Sequence, residues 1–199
     1  RALEDTAIPF RYNRLDELES ILENNKNEIA AIVMEPIRNE QPIPGFFDRI
    51  RTLADQSGAV LIIDEISSGF RMNTGGAHLI LGIQPDIAVF SKALGNGYAI
   101  AAIIGKPHIM DAAQKTFISS TNWTERIGPT AAIAMIKKHK KYNVGSHLMK
   151  IGQMVQDGWS MISKKHNLPI HIGGIPPLSH FTFEHDKALV LKALFIQSM

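Results

Sequence analysis

The 199-residue chain contains no cysteine, so a disulfide frame, a thiolate zinc site and a cysteine nucleophile are all excluded. That fits a reducing compartment, and we expect a cytoplasmic protein. Charge of one sign is lacking as well: 21 Lys and Arg stand against 19 Asp and Glu. Such a balance creates no field that would mark nucleic acid or an anionic membrane as a partner. Aromatic residues are few, at 7%, so basic stretches such as Lys137 to Lys141 lack the interleaved rings of nucleic-acid surfaces. Apolar runs stop well short of the ~18 residues a membrane helix needs, and no charged-then-apolar leader opens the chain. We therefore expect a soluble protein with no membrane and no nucleic-acid partner. The eight His include no His-Glu-x-x-His and no close pair on one helical face, so no metal site is expected. An opening Arg1, and an apolar helical run from Lys187 to Met199 without a stop signal, lead us to expect a piece of a larger protein.

What is present is ordinary globular composition, 45% hydrophobic and 20% charged, enough to build a core. Leu15, Leu18 and Leu22 mark an amphipathic helix, followed by a buried-strand pattern from Ile29 to Met34. The order then repeats. Phe46, Ile50, Leu53 and Ala54 line a helical face, Gly58 is placed to cap it, and Ala59 to Ile63 read as a continuous apolar strand. Ile87 to Phe90 and Ile100 to Ile104 read as further strands. Strands apolar on both faces and separated by helices argue an α/β fold with a mostly parallel sheet covered by helices. Two helices follow, one with Ile127, Ala131, Ala134 and Met135 on a face and one from about Ser146 to Lys165. Gly173-Gly174 and Pro176-Pro177 then break the chain before a short strand, His180 to Phe183. A boundary falls near residues 143–145, with residues 144–199 read as a helix and the start of a smaller α+β lobe.

In open α/β sheets ligands bind at the carboxyl ends of strands. Three such ends carry polar groups: Glu35-Pro36, Asp64-Glu65 and Ser91-Lys92. Asp64 and Glu65 are neighbours on a strand and face opposite ways, so only one of them reaches the crevice. Gly95-Asn96-Gly97 lets the backbone turn tightly beside whatever Lys92 holds. Leu61 to Glu65 also fits the strand that supplies a Mg²⁺-binding acid in nucleotide hydrolases, but no G-x-x-x-x-G-K-[ST] loop accompanies it. That hydrolase, using Asp64-Glu65, stays open as an alternative.

The segment Leu61-Ile-Ile-Asp-Glu-Ile-Ser-Ser-Gly-Phe-Arg71, continued by Gly75-Gly76, Pro85-Asp86-Ile87 and Ser91-Lys-Ala-Leu-Gly-Asn-Gly-Tyr98, resembles the class III pyridoxal-phosphate aminotransferases. It is most similar to the glutamate-1-semialdehyde aminomutase-like branch. Glu35-Pro36, Gly45-Phe46-Phe47 and Thr121 to Pro129 match further landmarks of the family. The resemblance implies fold type I, with residues 1–143 part of the cofactor-binding large domain and 144–199 the connecting helix and beginning of the small one. It further implies a pyridoxal 5'-phosphate cofactor, a homodimer with a shared active site, and a small-molecule amino donor and acceptor.

By the same resemblance Lys92 is the Schiff-base lysine, able to hold an aldehyde covalently and to act as acid and base. Asp64 maps to the carboxylate against the pyridine nitrogen, Ile66 to the aliphatic residue on one ring face, and Ser67 to a position that hydrogen-bonds the ring oxygen in some relatives. Thr124, five residues before Pro129, maps to the threonine that reaches the cofactor phosphate of the neighbouring subunit; helix N-capping is its competing role. Glu40 falls where some relatives keep a donor-selecting glutamate, though a solvated loop charge is the plainer reading. Glu35 and Arg71 read as structural. The expected activity is amino-group transfer, by an aminotransferase or a 2,1-aminomutase. The rivals are the hydrolase and a non-catalytic relative that keeps only the dimer surface.

Overall fold

A computed structural model describes residues 6–119, 121, 122 and 124–199. The chain runs α1 (Leu15–Asn24), β1 (Ala31–Met34), α2 (Phe46–Ser57), β2 (Val60–Asp64), α3 (His78–Leu81), β3 (Ile87–Phe90), β4 (Ala102–Gly105), α4 (Pro107–Met110), α5 (Ile127–Lys141), α6 (Val144–His166), β5 (Ile170–Gly173), β6 (His180–Phe183) and α7 (Ala188–Ser198). Strands β1 to β4 form one sheet in that order. The first three are parallel, and β4 pairs antiparallel with β3. The α/β, mostly parallel architecture expected from the apolar strands is the one observed. Strands β5 and β6 form a separate antiparallel pair.

Helix α2 shows how the sequence builds this. Phe46, Phe47, Ile50, Leu53 and Ala54 are its buried positions, the spacing of one helical stripe. Gly58 ends the helix at φ +72°, where a side chain would be strained. The stripe packs on Ile32, Met34, Leu61 and Ile63 of the sheet, joined by Leu18 of α1. Each large apolar side chain buried there contributes about 1.5–3 kcal/mol. Paired register puts Ile32, Leu61, Ile63 and Ala88 on this face. On the opposite face Val33 and Ile103 remain 58% and 60% exposed. The expected cover on both faces is thus seen on one among the described residues, because α1 and α2 share a side. An apolar strand pattern states that a face suits burial, not what covers it.

Helix α5 keeps Met135 of its expected face packed against the core and otherwise differs from that face. Gly128, Ala132 and His139 are its buried residues, while Ile127 is exposed. Close approach, not bulk, sets this face, since a Cβ on Gly128 would lie 2.7 Å from the Ala99 carbonyl oxygen. His139, read within a basic run, points inward: its Nε2 donates to the Phe70 carbonyl at 2.9 Å and its Nδ1 pairs with the Thr74 hydroxyl at 2.8 Å. Helix α6 packs against the turn Pro176–Leu178 so tightly that a Cβ on Gly152 would lie 2.0 Å from the Pro176 carbonyl oxygen.

At the amino ends of β2 and β3, Asp86 gathers three donors. Its carboxylate accepts from the Leu61 N–H at 2.8 Å, Arg51 at 3.0 Å and Lys106 at 2.7 Å. Burial would push this carboxyl up, but those donors outweigh it and hold it below the ordinary range. No helix among the described residues is long and apolar enough to cross a membrane.

Candidate functional site

Because β2 and β3 are parallel and paired Asp64 to Val89, their carboxyl ends lie side by side. The Glu65 N–H donates to the Val89 carbonyl at 2.8 Å, tying the start of the loop after β2 to β3. From there the chain alternation sends the two acids different ways. Glu65 is fully buried, and its carboxylate accepts from the Ser68 hydroxyl at 2.6 Å and from both the backbone N–H and Nδ1 of His78 at 2.8 Å. Burial raises its pKa, and the bonds from His78 and Ser68 more than reverse this, leaving the carboxyl below the usual range. Glu65 is therefore a structural anion at the start of α3.

Asp64 is half-buried. Its Oδ1 accepts from the Ile66 N–H at 2.8 Å, and its Oδ2 has no donor among the described residues. Ile66 is half-buried, and Ser67 is buried with 6% exposure.

The Nζ of Lys92 donates to the Ser67 Oγ at 2.8 Å. No carboxylate among the described residues lies within ion-pairing distance of that amine, unlike the amine of Lys106, which pairs with Asp86 at 2.7 Å. Lys92 also carries a left-handed backbone, φ +44°, a conformation that costs an L residue energy and that folded chains retain mainly where function requires it. The turn that follows relieves crowding with two glycines. A Cβ on Gly95 would lie 2.2 Å from the Tyr98 carbonyl oxygen, and Gly97 adopts φ +106°.

An open cleft of about 550 Å³ is lined by Arg38, Asn39, Ser67, Arg71, Lys92 and residues 177–180. Two arginines stand on its walls. Arg71 donates from Nε to the Ser67 carbonyl at 3.2 Å, and Arg38 from Nη1 to Glu35 at 3.3 Å. The far wall is brought close by the Ile175 N–H, which donates to the Arg38 carbonyl at 3.1 Å. Sequence reasoning did not place Arg38 or residues 177–180 at the site. Their signal was absent because the contact joins segments far apart in the chain.

Lys92 and Ser67 thus meet at one end of the sheet; Asp64 ends the neighbouring strand there but lines no part of their cleft. Thr124 is exposed in the turn before α5 and lines no part of the cleft. It does not cap α5 either: the N-cap position is Arg126, with no side-chain cap bond. Glu40 is an exposed loop residue near Asn13. Glu35 pairs with Arg38, as a structural role requires.

Compared with known proteins, residues 7–191 match the family described as class-III aminotransferases. The chain is 37% identical to the 3-aminobutyryl-CoA aminotransferase of Cloacimonas acidaminovorans (strain Evry), over 96% of this chain and 48% of that protein. It is 42% identical to the glutamate-1-semialdehyde 2,1-aminomutase of Syntrophobacter fumaroxidans over 52% of this chain and 25% of that one. Among solved structures, the PLP internal aldimine form of the FumI protein of Sphingopyxis sp. MTA144 superposes with a TM-score of 0.84 at 26% identity, covering 90% of this chain and 45% of that one. The 3-aminobutyryl-CoA aminotransferase match spans about half the length of that relative.

Proposed function

Since this chain belongs to the class III aminotransferase family, we propose that its full-length protein transfers amino groups with pyridoxal 5'-phosphate, using Lys92 and Asp64. The carrying observation is the pair of adjacent parallel strand ends, one bearing an amine held only by a neutral hydroxyl and the other a carboxylate with a free oxygen. The fold is fold type I, as in the pyridoxal-phosphate enzymes it resembles.

The residues present fit such a group. When bound, pyridoxal phosphate supplies an aldehyde carbon and a ring that takes up electrons from the carbon bearing the substrate's amino group. Lys92 would offer Nζ for covalent attachment and would serve as the acid and base that moves the substrate proton. Ser67 orients Nζ. Asp64 Oδ2 would hold a proton on the ring nitrogen, while its Oδ1 is kept in place by the Ile66 N–H. Ile66 supplies an apolar surface beside the acid, and Thr124 serves the phosphate across a homodimer interface. Residues 1–143 form part of the large domain and 144–199 the connecting helix and start of the small one, a division supported by the separate β5–β6 sheet. A soluble, cytoplasmic homodimer acting on a small amino donor and acceptor completes the reading.

The hydrolase alternative needs a G-x-x-x-x-G-K-[ST] loop beside Asp64, and the sequence has none. Glu65, the other acid of that reading, is spent on Ser68 and His78 inside the protein. The test of the proposal is the visible absorbance of the full-length protein with added pyridoxal phosphate, and its covalent retention after borohydride reduction, in wild type and Lys92→Ala. Retention confined to the wild type is expected; equal spectra and equal retention reject the lysine, and no bound cofactor in either protein supports a non-catalytic relative.

A further inference from the structure

Seven non-glycine residues among those described have a left-handed backbone, and five of them are Asn, which tolerates it. The other two are Phe70, at φ +59°, and Lys92. For a bulky side chain this conformation is strained and persists only where the surroundings over-determine it. Phe70 is held at three points. Its N–H donates to the Gly75 carbonyl at 2.8 Å, its ring packs on Phe90 with centroids 5.8 Å apart, and its carbonyl accepts from His139 Nε2 at 2.9 Å. No other donor reaches that carbonyl among the described residues.

His139 continues the stripe of α5 made by Gly128, Ala132 and Met135, which closes on the segment carrying Lys92: Gly128 against Ala99, and Ala132 with Met135 in one cluster with Phe70, Phe90 and Leu94. Packing alone asks for an apolar residue at that position. An imidazole only 5% exposed must desolvate two ring nitrogens, a cost offset here because the Phe70 carbonyl and the Thr74 hydroxyl both meet it. Phe70 lies three residues after Ser67, and Phe90 two before Lys92. The clamp on Phe70 therefore grips both segments that bring Ser67 Oγ to Lys92 Nζ. Resting on the Lys92 reading above, we infer that His139 is a positioning residue for that amine: by pinning left-handed Phe70 from α5, it sets the direction in which Ser67 presents Nζ to pyridoxal phosphate.

The experiment uses the full-length protein as wild type, as His139→Asn, whose shorter amide stops at Thr74, and as His139→Gln, whose amide reaches the Phe70 carbonyl. Amide hydrogen exchange over residues 65–76 is measured first, without cofactor. Pyridoxal phosphate is then added, and the rate of its covalent attachment and the visible circular dichroism per attached molecule are recorded. In His139→Asn the loop exchanges faster, attachment slows by roughly two- to tenfold and the dichroism weakens, while His139→Gln recovers most of each. A His139 that only packs lowers the denaturant midpoint and leaves attachment and dichroism of the folded protein as in wild type; that result overturns the inference, and so does a Gln variant no better than Asn. Where His139→Asn does not fold, Phe70→Leu decides, because it keeps the carbonyl and takes the ring off Phe90. Slower attachment in that variant supports the clamp, and a wild-type rate overturns it. Failure of the Lys92 reading has a different signature and takes the inference with it: attachment that is absent from wild type or survives in Lys92→Ala.

Discussion

Lys92 Nζ and Ser67 Oγ meet at 2.8 Å across two neighbouring parallel strands, so a hydroxyl on the loop after β2 sets the direction of an amine carried just after β3. The contact is neutral on one side, which leaves the amine oriented without the ion pair that would compete with its chemistry.

Ser67→Ala should slow the half-reaction of the full-length protein by roughly two- to tenfold, the worth of one hydrogen bond at about 0.5–1.5 kcal/mol. Single-turnover absorbance decides it. A rate equal to wild type would show that Lys92 is aimed by its backbone alone.

The left-handed backbone at Lys92 gives a prediction free of catalysis. Lys92→Gly should be more stable than Lys92→Ala by about 1 kcal/mol, because Gly adopts φ +44° without the Cβ clash. Denaturant midpoints of the two variants settle the order, and the reverse order would refute the conformation.

Glu65 and Asp86 both have carboxyls held below their ordinary range. A group lowered in the folded state contributes stability that is whole above the unfolded pKa, about 4 for these acids, and is lost as pH falls through the folded value. Thermal midpoints should therefore hold steady toward pH 5 and decline below it. Glu65→Gln should cost about 1.5–3 kcal/mol at neutral pH and flatten that acid decline; a variant with undiminished acid loss would remove Glu65 as a source.

Two glycines of α6 should respond oppositely to the same change. A Cβ on Gly152 meets the Pro176 carbonyl oxygen at 2.0 Å, whereas one on Gly158 meets nothing within 4 Å. Gly152→Ala should cost about 1–3 kcal/mol by forcing the cleft wall at Pro176–Leu178 outward. Gly158→Ala should add about 0.5–1 kcal/mol through helix propensity. Chemical denaturation of the pair tests both signs.

These contrasts show where sequence reading reached. Phe46, Ile50, Leu53 and Ala54 announced α2 because large apolar residues at helical spacing leave little choice, and Asp64 and Lys92 were legible as strand-end polar groups. The face of α5 was misjudged by one residue, since Gly128 and Ala132 bury themselves by closeness and Ala131 and Ala134 look equally suited. His139 was hidden among lysines, where only its partners Phe70 and Thr74 reveal it. Strand β5 escaped notice because Ile170 and Ile172 are too few to set a period. The N-capping role weighed for Thr124 failed for a local reason: the first helical turn begins later, after Arg126.

The clasp at Asp86 gives the sheet a division of labour between its two ends. There, three strands are cinched by charges that are all spoken for, so damage should register as a looser molecule with its chemistry intact while it stays folded. At the far end an amine is kept unspent, and a change there should mute the reaction while the scaffold stands. A mutational survey scored separately for abundance and for turnover would split along that axis.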